Sequence, residues 1–363
     1  MRVGKTRISS WAAPAAFILP FALASWTAGQ SYSIIDLGPL GSTGVNAAGQ
    51  VTGTFLTSAN VSHAFLYSNG SIQDLGTLGG SGSQAWGINA AGQVTGEAYL
   101  TGDVAYHAFL YSNGSMQDLG TLGGTYSVGQ SVNTSGQVTG GSNTSSNAMH
   151  AFAYTNATMK DLGTLGGNSS LGYGINDAGQ VTGWAYTSGG DEHAFLYTNG
   201  SMTDLGTLGG TTSYGNGINA SGQITGVAYT SGGTPDAFLY SDGSMKDLGS
   251  LGGRNSIGYA INDAGQVTGT AYTSADAVHA FVYSDGTMRD LNSLIDPSIG
   301  WTLHFGMSIN DAGQITGSGL LNGQGHSFLL TPTPEPGACG IALIAALDML
   351  GRRTRSCKAM KRA

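Results

Sequence analysis

Charge is scarce in this chain. Asp, Glu, Lys and Arg make up 9% of its 363 residues, against a usual ~25%. Basic side chains are rarer still. Of 13 Lys and Arg, three open the chain (Arg2, Lys5, Arg7) and six close it, from Arg352 to Arg362. Only Lys160, Lys246, Arg254 and Arg289 remain for the long middle, which holds 19 of the 21 acids and so carries a net charge of −15. A body that acidic does not bind nucleic acid by neutralising phosphates. Cysteine is also nearly absent: Cys339 and Cys357 both lie near the C-terminus, so no disulfide staples the body. Glycine has no every-third-residue register, which excludes collagen. What abounds is glycine itself, 61 residues, with Asn, Ser and Thr between short runs of Val, Ile, Phe and Tyr. That composition calls for short strands and tight turns.

The two ends read as address labels. Residues 1–24 have a basic start, a short apolar stretch from Trp11 to Leu23, and a small-x-small site at Ala22-Leu23-Ala24, with Ala28 as an alternative cleavage point. This is a signal peptide pattern, too short for the ~20 apolar residues of a membrane span. At the other end, residues 331–336 form a proline-rich linker, followed by an apolar run from Gly337 to Leu350 and then arginines. The motif Pro334-Glu335-Pro336, the apolar run, and Arg352 and Arg353 make residues 334–363 resemble the PEP-CTERM sorting signal. The resemblance implies an exosortase-type partner, transient membrane contact through the tail, and an extracellular or cell-surface location in a Gram-negative-type bacterium. Asp348 interrupts the run, which the resemblance does not anticipate.

The body is repetitive. Asn-x-x-Gly-Gln begins at Asn46, Asn89, Asn133, Asn176, Asn219, Asn262 and Asn310, at spacings of 43, 44, 43, 43, 43 and 48. His-Ala-Phe recurs from His63, His107, His150, His193 and His279, with Asp236 and His326 at the two irregular copies. Asp-Leu follows the same period. Within one unit, Tyr173–Asn176, Gln180–Thr187, His193–Tyr197 and Ser201–Leu205 read as four strands, and Asn199-Gly200 is a strong hairpin signal. Four strands in ~43 residues is the size of a propeller blade. The chain enters at Tyr32–Leu37 with an orphan fourth strand and leaves after Ser327–Leu330 with an orphan third. Joined, they would complete one blade and hide two exposed edges. The expected fold is therefore all-β, a seven-bladed β-propeller over residues 32–330 closed by an N-terminal strand. An open solenoid is the competing architecture.

His-Ala-Phe, Asp-Leu-Gly-Thr-Leu-Gly-Gly and Gly-Ile-Asn-x-x-Gly-Gln-Val-Thr-Gly together resemble the HAF extracellular repeat, across nearly all of residues 32–330. The resemblance implies an extracellular repeat protein and no particular chemistry.

Candidate sites follow from the repeat. The six histidines (His63, His107, His150, His193, His279, His326) sit at equivalent places in different units. They cannot meet around one metal ion with ligands ~2 Å away. The hairpin register instead sets the first five diagonal to an aspartate of the next strand: Asp74, Asp118, Asp161, Asp204 and Asp290. A buried His–Asp hydrogen bond inside each blade is expected. In the fifth unit Asp236 faces Asp247, so that blade should be the weakest, or one carboxyl protonated. Asp177, Asp263 and Asp311 read as turn residues rather than calcium ligands. Trp301 and His304 lie in the least repetitive stretch and read as parts of an atypical closing blade. Tyr99, Tyr186, Tyr229 and Tyr272 recur before one turn, where they suit either packing or stacking on sugar rings. No nucleophile elbow, phosphate loop or zinc-protease helix appears, and no cofactor is implied. The function expected is a non-enzymatic binding or structural scaffold at the cell surface or matrix, with neutral exopolysaccharide as partner. The alternative is a secreted carbohydrate-active enzyme.

Overall fold

Apolar residues alternating with small polar ones turn each repeat into a four-stranded antiparallel sheet. In a computed structural model that describes residues 31–333, blade four comprises Gly166–Ile175, Val181–Thr187, Glu192–Thr198 and Ser201–Asp204. Asn199 and Gly200 join the last two strands at φ 52° and 85°, the paired positive φ of a type I′ turn. Seven such sheets form the ring of a β-propeller, and no α-helix occurs among the described residues. The signal segment 1–24 and the motif residues Pro334, Glu335, Pro336, Arg352 and Arg353 lie outside the described residues.

Closure is made by the orphan strands. Tyr32–Gly38 is the outer strand of blade seven, whose other strands are Gln324–Pro332, Ile315–Leu321 and Trp301–Ile309. Ile34 pairs with Leu330 and Tyr32 with Pro332. The ladder thus runs past the expected boundary at residue 330, and Thr331 and Pro332 belong to the strand rather than to a linker. A proline at the strand end removes no interior ladder bond.

Inner strands are longer than expected. In blade four the strand starts at Gly166, which pairs with Thr187, not at Tyr173. Its register shifts between Gly172 and Gly174, so Tyr173 is a bulged residue. The same shift recurs in all seven inner strands, three residues before the repeated asparagine. A bulge bends its strand and increases local twist. Here the second strand lies so close that a Cβ on Gly183 would sit 1.9 Å from the Leu171 carbonyl oxygen. This is why every unit keeps glycine after Val-Thr or, in units five and seven, Ile-Thr.

The blade core is built from the same few positions. The phenylalanine of each His-Ala-Phe or its counterpart, from Phe65 to Phe328, is fully buried. In blade four Val181 is fully buried in the same cluster, and Thr182 Oγ1 donates to the Phe195 carbonyl at 2.8 Å. The inserted stretch Leu291–Ile299 forms two short 3-10 turns. It buries Leu291 and Ile295 beside Leu303 and Phe328.

The blades are tied at the axis by the repeated asparagines. Each is buried, and its side-chain amide donates to the backbone carbonyl of the asparagine in the next blade. The distances are 3.0 Å from Asn46 to Asn89, 2.8 Å from Asn89 to Asn133, and 3.0 Å from Asn133 to Asn176. The series continues at 3.0, 3.1 and 3.0 Å through Asn219, Asn262 and Asn310. Asn310 then donates back to Asn46 at 2.7 Å. Each amide also donates to the glutamine four residues on, as Asn176 does to Gln180 at 2.7 Å. Its oxygen accepts the backbone N–H of that glutamine at 3.0 Å.

Removal of Tyr32–Gly38 is expected to lower the melting temperature of the whole ring in a single calorimetric transition. Unfolding confined to blade seven, with six blades melting at the native temperature, would contradict closure. A second test concerns the one blade hairpin whose second turn residue is not glycine. Asn156 and Ala157 hold φ of 50° and 58°, and an L-residue with a Cβ is strained there. Ala157→Gly should therefore stabilise the protein by about 0.5–1 kcal/mol in denaturant titration.

Candidate functional site

Each predicted His–Asp pair forms. His193 Nδ1 lies 2.8 Å from Asp204, and the other five pairs, at 2.6–2.8 Å, include His326 with Asp36 across the chain ends. The expectation of burial is corrected. The His193 side chain is 19% exposed and that of Asp204 is 42%, because the fourth strand is the outermost and solvent reaches its edge. Such pairs contribute about 0.5–1 kcal/mol each. Their second task is local: Asp204 Oδ1 accepts the N–H of Gly206 at 2.7 Å and so shapes the link to the next blade. The six histidines stay on six blades, and among the described residues no three His, Cys, Asp or Glu side chains gather into a metal site.

The aspartates of the Asn-Asp-Ala-Gly turns do more than turn the chain. Asp177, Asp263 and Asp311 accept the backbone N–H groups of Thr134, Ala220 and Asp263 on the preceding blades at 2.8–2.9 Å. They are inter-blade ties beside the asparagine ring. Trp301 packs edge-on against Phe328 and His326 at 6.0 and 6.2 Å, within the closing blade. Burial, with His279 nearby, lowers the pKa of His304.

The four equivalent tyrosines lie at the ends of second strands in four different blades and do not converge. Tyr99 and Tyr229 are 39% and 36% exposed. Tyr99 meets Tyr106 edge-on at 5.8 Å, and Tyr106 lies 4.7 Å from Tyr126, so blades two and three share an aromatic cluster. Tyr186 packs on Trp184 at 5.5 Å, and Tyr272 is covered by the Arg254 guanidinium at 4.5 Å. Packing accounts for the second pair, whereas the first pair keeps open surface.

Sequence reading missed two acids. Glu97 is half-buried beside Tyr99, where burial raises its pKa, and it borders a cavity of about 240 Å³ between blades one and two. Glu192 accepts from Tyr214 of the next blade, and burial with this bond pushes the phenol pKa up. Each is the single acid at its repeat position, which was the available signal. The axis was missed as well. The residue before each ring asparagine, from Val45 to Ile309, is valine or isoleucine, and these seven form an aliphatic collar. On one side lies a cavity of about 230 Å³ rimmed by the ring asparagines. On the other lies one of about 290 Å³.

No family model matches the chain, and no curated protein matches it in sequence. Solved structures similar to it are propellers of low identity. An oligogalacturonate lyase in complex with manganese aligns at TM-score 0.52 and 10% identity, over 85% of this chain and 97% of that one. YCF48 bound to D1 peptide aligns at 0.49 and 9%, over 86% and 100%. TolB from Acinetobacter baumannii aligns at 0.45 and 13%, over 66% of this chain and 62% of that one. The chain thus spans less than two thirds of TolB. At these identities the likeness is one of fold alone.

Blade five offers the sharpest electrostatic test. Asp236 stands where the other blades have histidine, and burial, with the Asp247 charge beside it, raises its pKa from 3.8 to about 6. A carboxyl whose pKa is raised on folding stabilises the native state fully below pH ~4 and loses that contribution as pH climbs through ~6. Discounted for its partial exposure, the loss by pH 7 is about 1–2 kcal/mol. Asp236→His should recover that amount at pH 7 and flatten the stability profile between pH 4 and 7, read from melting temperatures across the range.

Proposed function

We propose that this is an exported, cell-surface or matrix-associated propeller that serves as a structural and binding scaffold, with neutral exopolysaccharide as its partner. The signal-like residues 1–24 and the PEP-CTERM-like tail, which an exosortase-type enzyme would process, support export. The HAF-like repeats support an extracellular setting. The observation that carries the binding reading is the placement of Tyr99 and Tyr229: one repeat position, two blades, each ring more than a third exposed. Phenol faces suit the C–H surfaces of sugar rings, and weak contacts repeated around one ring add through effective concentration. A body charge of −15 repels acidic polymers, which favours a neutral glycan.

The non-enzymatic reading rests on geometry. Catalysis needs one asymmetric constellation with distinct roles, and the aspartates nearest the axis are already engaged as acceptors between blades. Titration of the native protein with neutral and acidic exopolysaccharides is expected to give weak, multivalent binding to the neutral polymer alone. Tyr99→Ala and Tyr229→Ala should each weaken it about three- to tenfold, the loss of one stacking contact. Glycan cleavage abolished by a single carboxylate substitution would overturn the reading.

A further inference from the structure

The seven bulges bring together residues that the repeat does not share. The bulged positions are Thr43, Trp86, Gln130, Tyr173, Asn216 and Tyr259 in blades one to six, and Met307 in blade seven. Three residues later the chain is asparagine every time, and the residue before that is always valine or isoleucine. Variation is thus placed where a bulge re-aims the side chain. Six of the seven bulged residues line the cavity of about 290 Å³ on the axis, together with Ser131 and Ser308.

Three features of this cavity point to one class of ligand. Its lining has no charged side chain, so an ionic ligand would lose hydration without a partner. It combines an indole and two phenols with amides and hydroxyls, the mixture that covers the apolar and polar faces of a sugar at once. Some of its polar groups are already spent. Asn216 Nδ2 donates to the Gly258 carbonyl at 2.8 Å, and Thr43 Oγ1 donates to the Ala85 carbonyl at 3.0 Å. Trp86 is different: its indole N–H is buried and has no acceptor among the described residues. Buried donors are rarely left in that state. The size sits at the small end of the ~300–1,000 Å³ of ligand pockets, enough for one ring and not for a polymer.

We infer that the axial cavity is a single binding site for one neutral sugar ring, with a ring hydroxyl accepting from Trp86 Nε1. This site goes beyond the tyrosine rim. It occurs once per chain, is built from residues of different blades, and does not depend on the rim binding anything.

The test uses the native protein with 15N-labelled tryptophan, titrated with methyl glycosides of neutral hexoses, deoxyhexoses and N-acetylhexosamines, and with methyl glucuronide. A neutral glycoside is expected to shift the Trp86 indole resonance, identified by its absence in Trp86→Phe, and to saturate at one site per chain. Trp86→Phe keeps an aromatic ring but loses the donor, so affinity should fall roughly tenfold, whereas Tyr229→Ala should leave it unchanged. Should Trp86→Phe not fold, Gln130→Ala serves as the lining variant. The inference fails if no neutral glycoside moves the Trp86 resonance up to ~10 mM, above the millimolar Kd of a weak single-ring contact. It also fails if only the glucuronide binds, or if lining variants bind as the native protein does. Loss of rim binding in Tyr229→Ala leaves this site intact, so the two readings fail separately.

Discussion

A closed ring of seven side-chain amides, each reaching the backbone carbonyl of the next blade, is the constraint on which the rest of the molecule depends. Every amide has two hydrogens to place, and burial at the axis makes an unplaced one costly. One goes to the glutamine of its own turn and the other to the neighbouring blade. The bond from Asn310 to Asn46 joins blades that are 264 residues apart in sequence. It forms only when the circle is complete, so the ring reports closure as well as enforcing it.

The ring sets the spacing that the inner strands must meet, and the bulge with its facing glycine is how they meet it. Bringing seven strands to one axis crowds their backbones. The glycine of each Val-Thr-Gly or Ile-Thr-Gly lets the second strand approach a carbonyl that any Cβ would strike. The bulged residue is then freed from pairing and turned toward the axis. A feature whose first role is packing thereby brings unlike side chains from six blades to one cavity.

Departures from the repeat cluster where the ring must accommodate its ends. Between blades one and two the inner-strand Ser83 hydroxyl donates to the Gly76 carbonyl and accepts from the Ala64 N–H. At the junction of blades seven and one, Ser327 takes over this strap, its hydroxyl donating to the Leu40 carbonyl and accepting from the Ser42 N–H. Before blade seven, Asn292 does the same work, bonding both the N–H and the carbonyl of Leu303. Blade five has no such compensation for Asp236. Its carboxyl is left facing Asp247, and burial together with that neighbouring charge raises its pKa.

Much of this was legible in the residues alone, because it is local or periodic. The 43-residue period, the Asn-Gly hairpins, the His–Asp diagonals and the two orphan strands that complete one blade all follow from short-range pairing rules and from counting. The tertiary structure decided what depends on curvature and on neighbours distant in sequence. It made the His–Asp pairs half-exposed rather than buried, since solvent reaches the outermost strand. It carried the ladder on to Pro332 and drew the glycine-rich starts of the inner strands into pairing. It turned Asn46 and its equivalents from strand-end residues into bridges between blades. Above all, it moved Trp86, Gln130, Tyr173 and Tyr259 from scattered strand positions to one cavity, because a bulge overrides the two-residue alternation by which strand faces are read and only a closed ring has an axis on which they can meet.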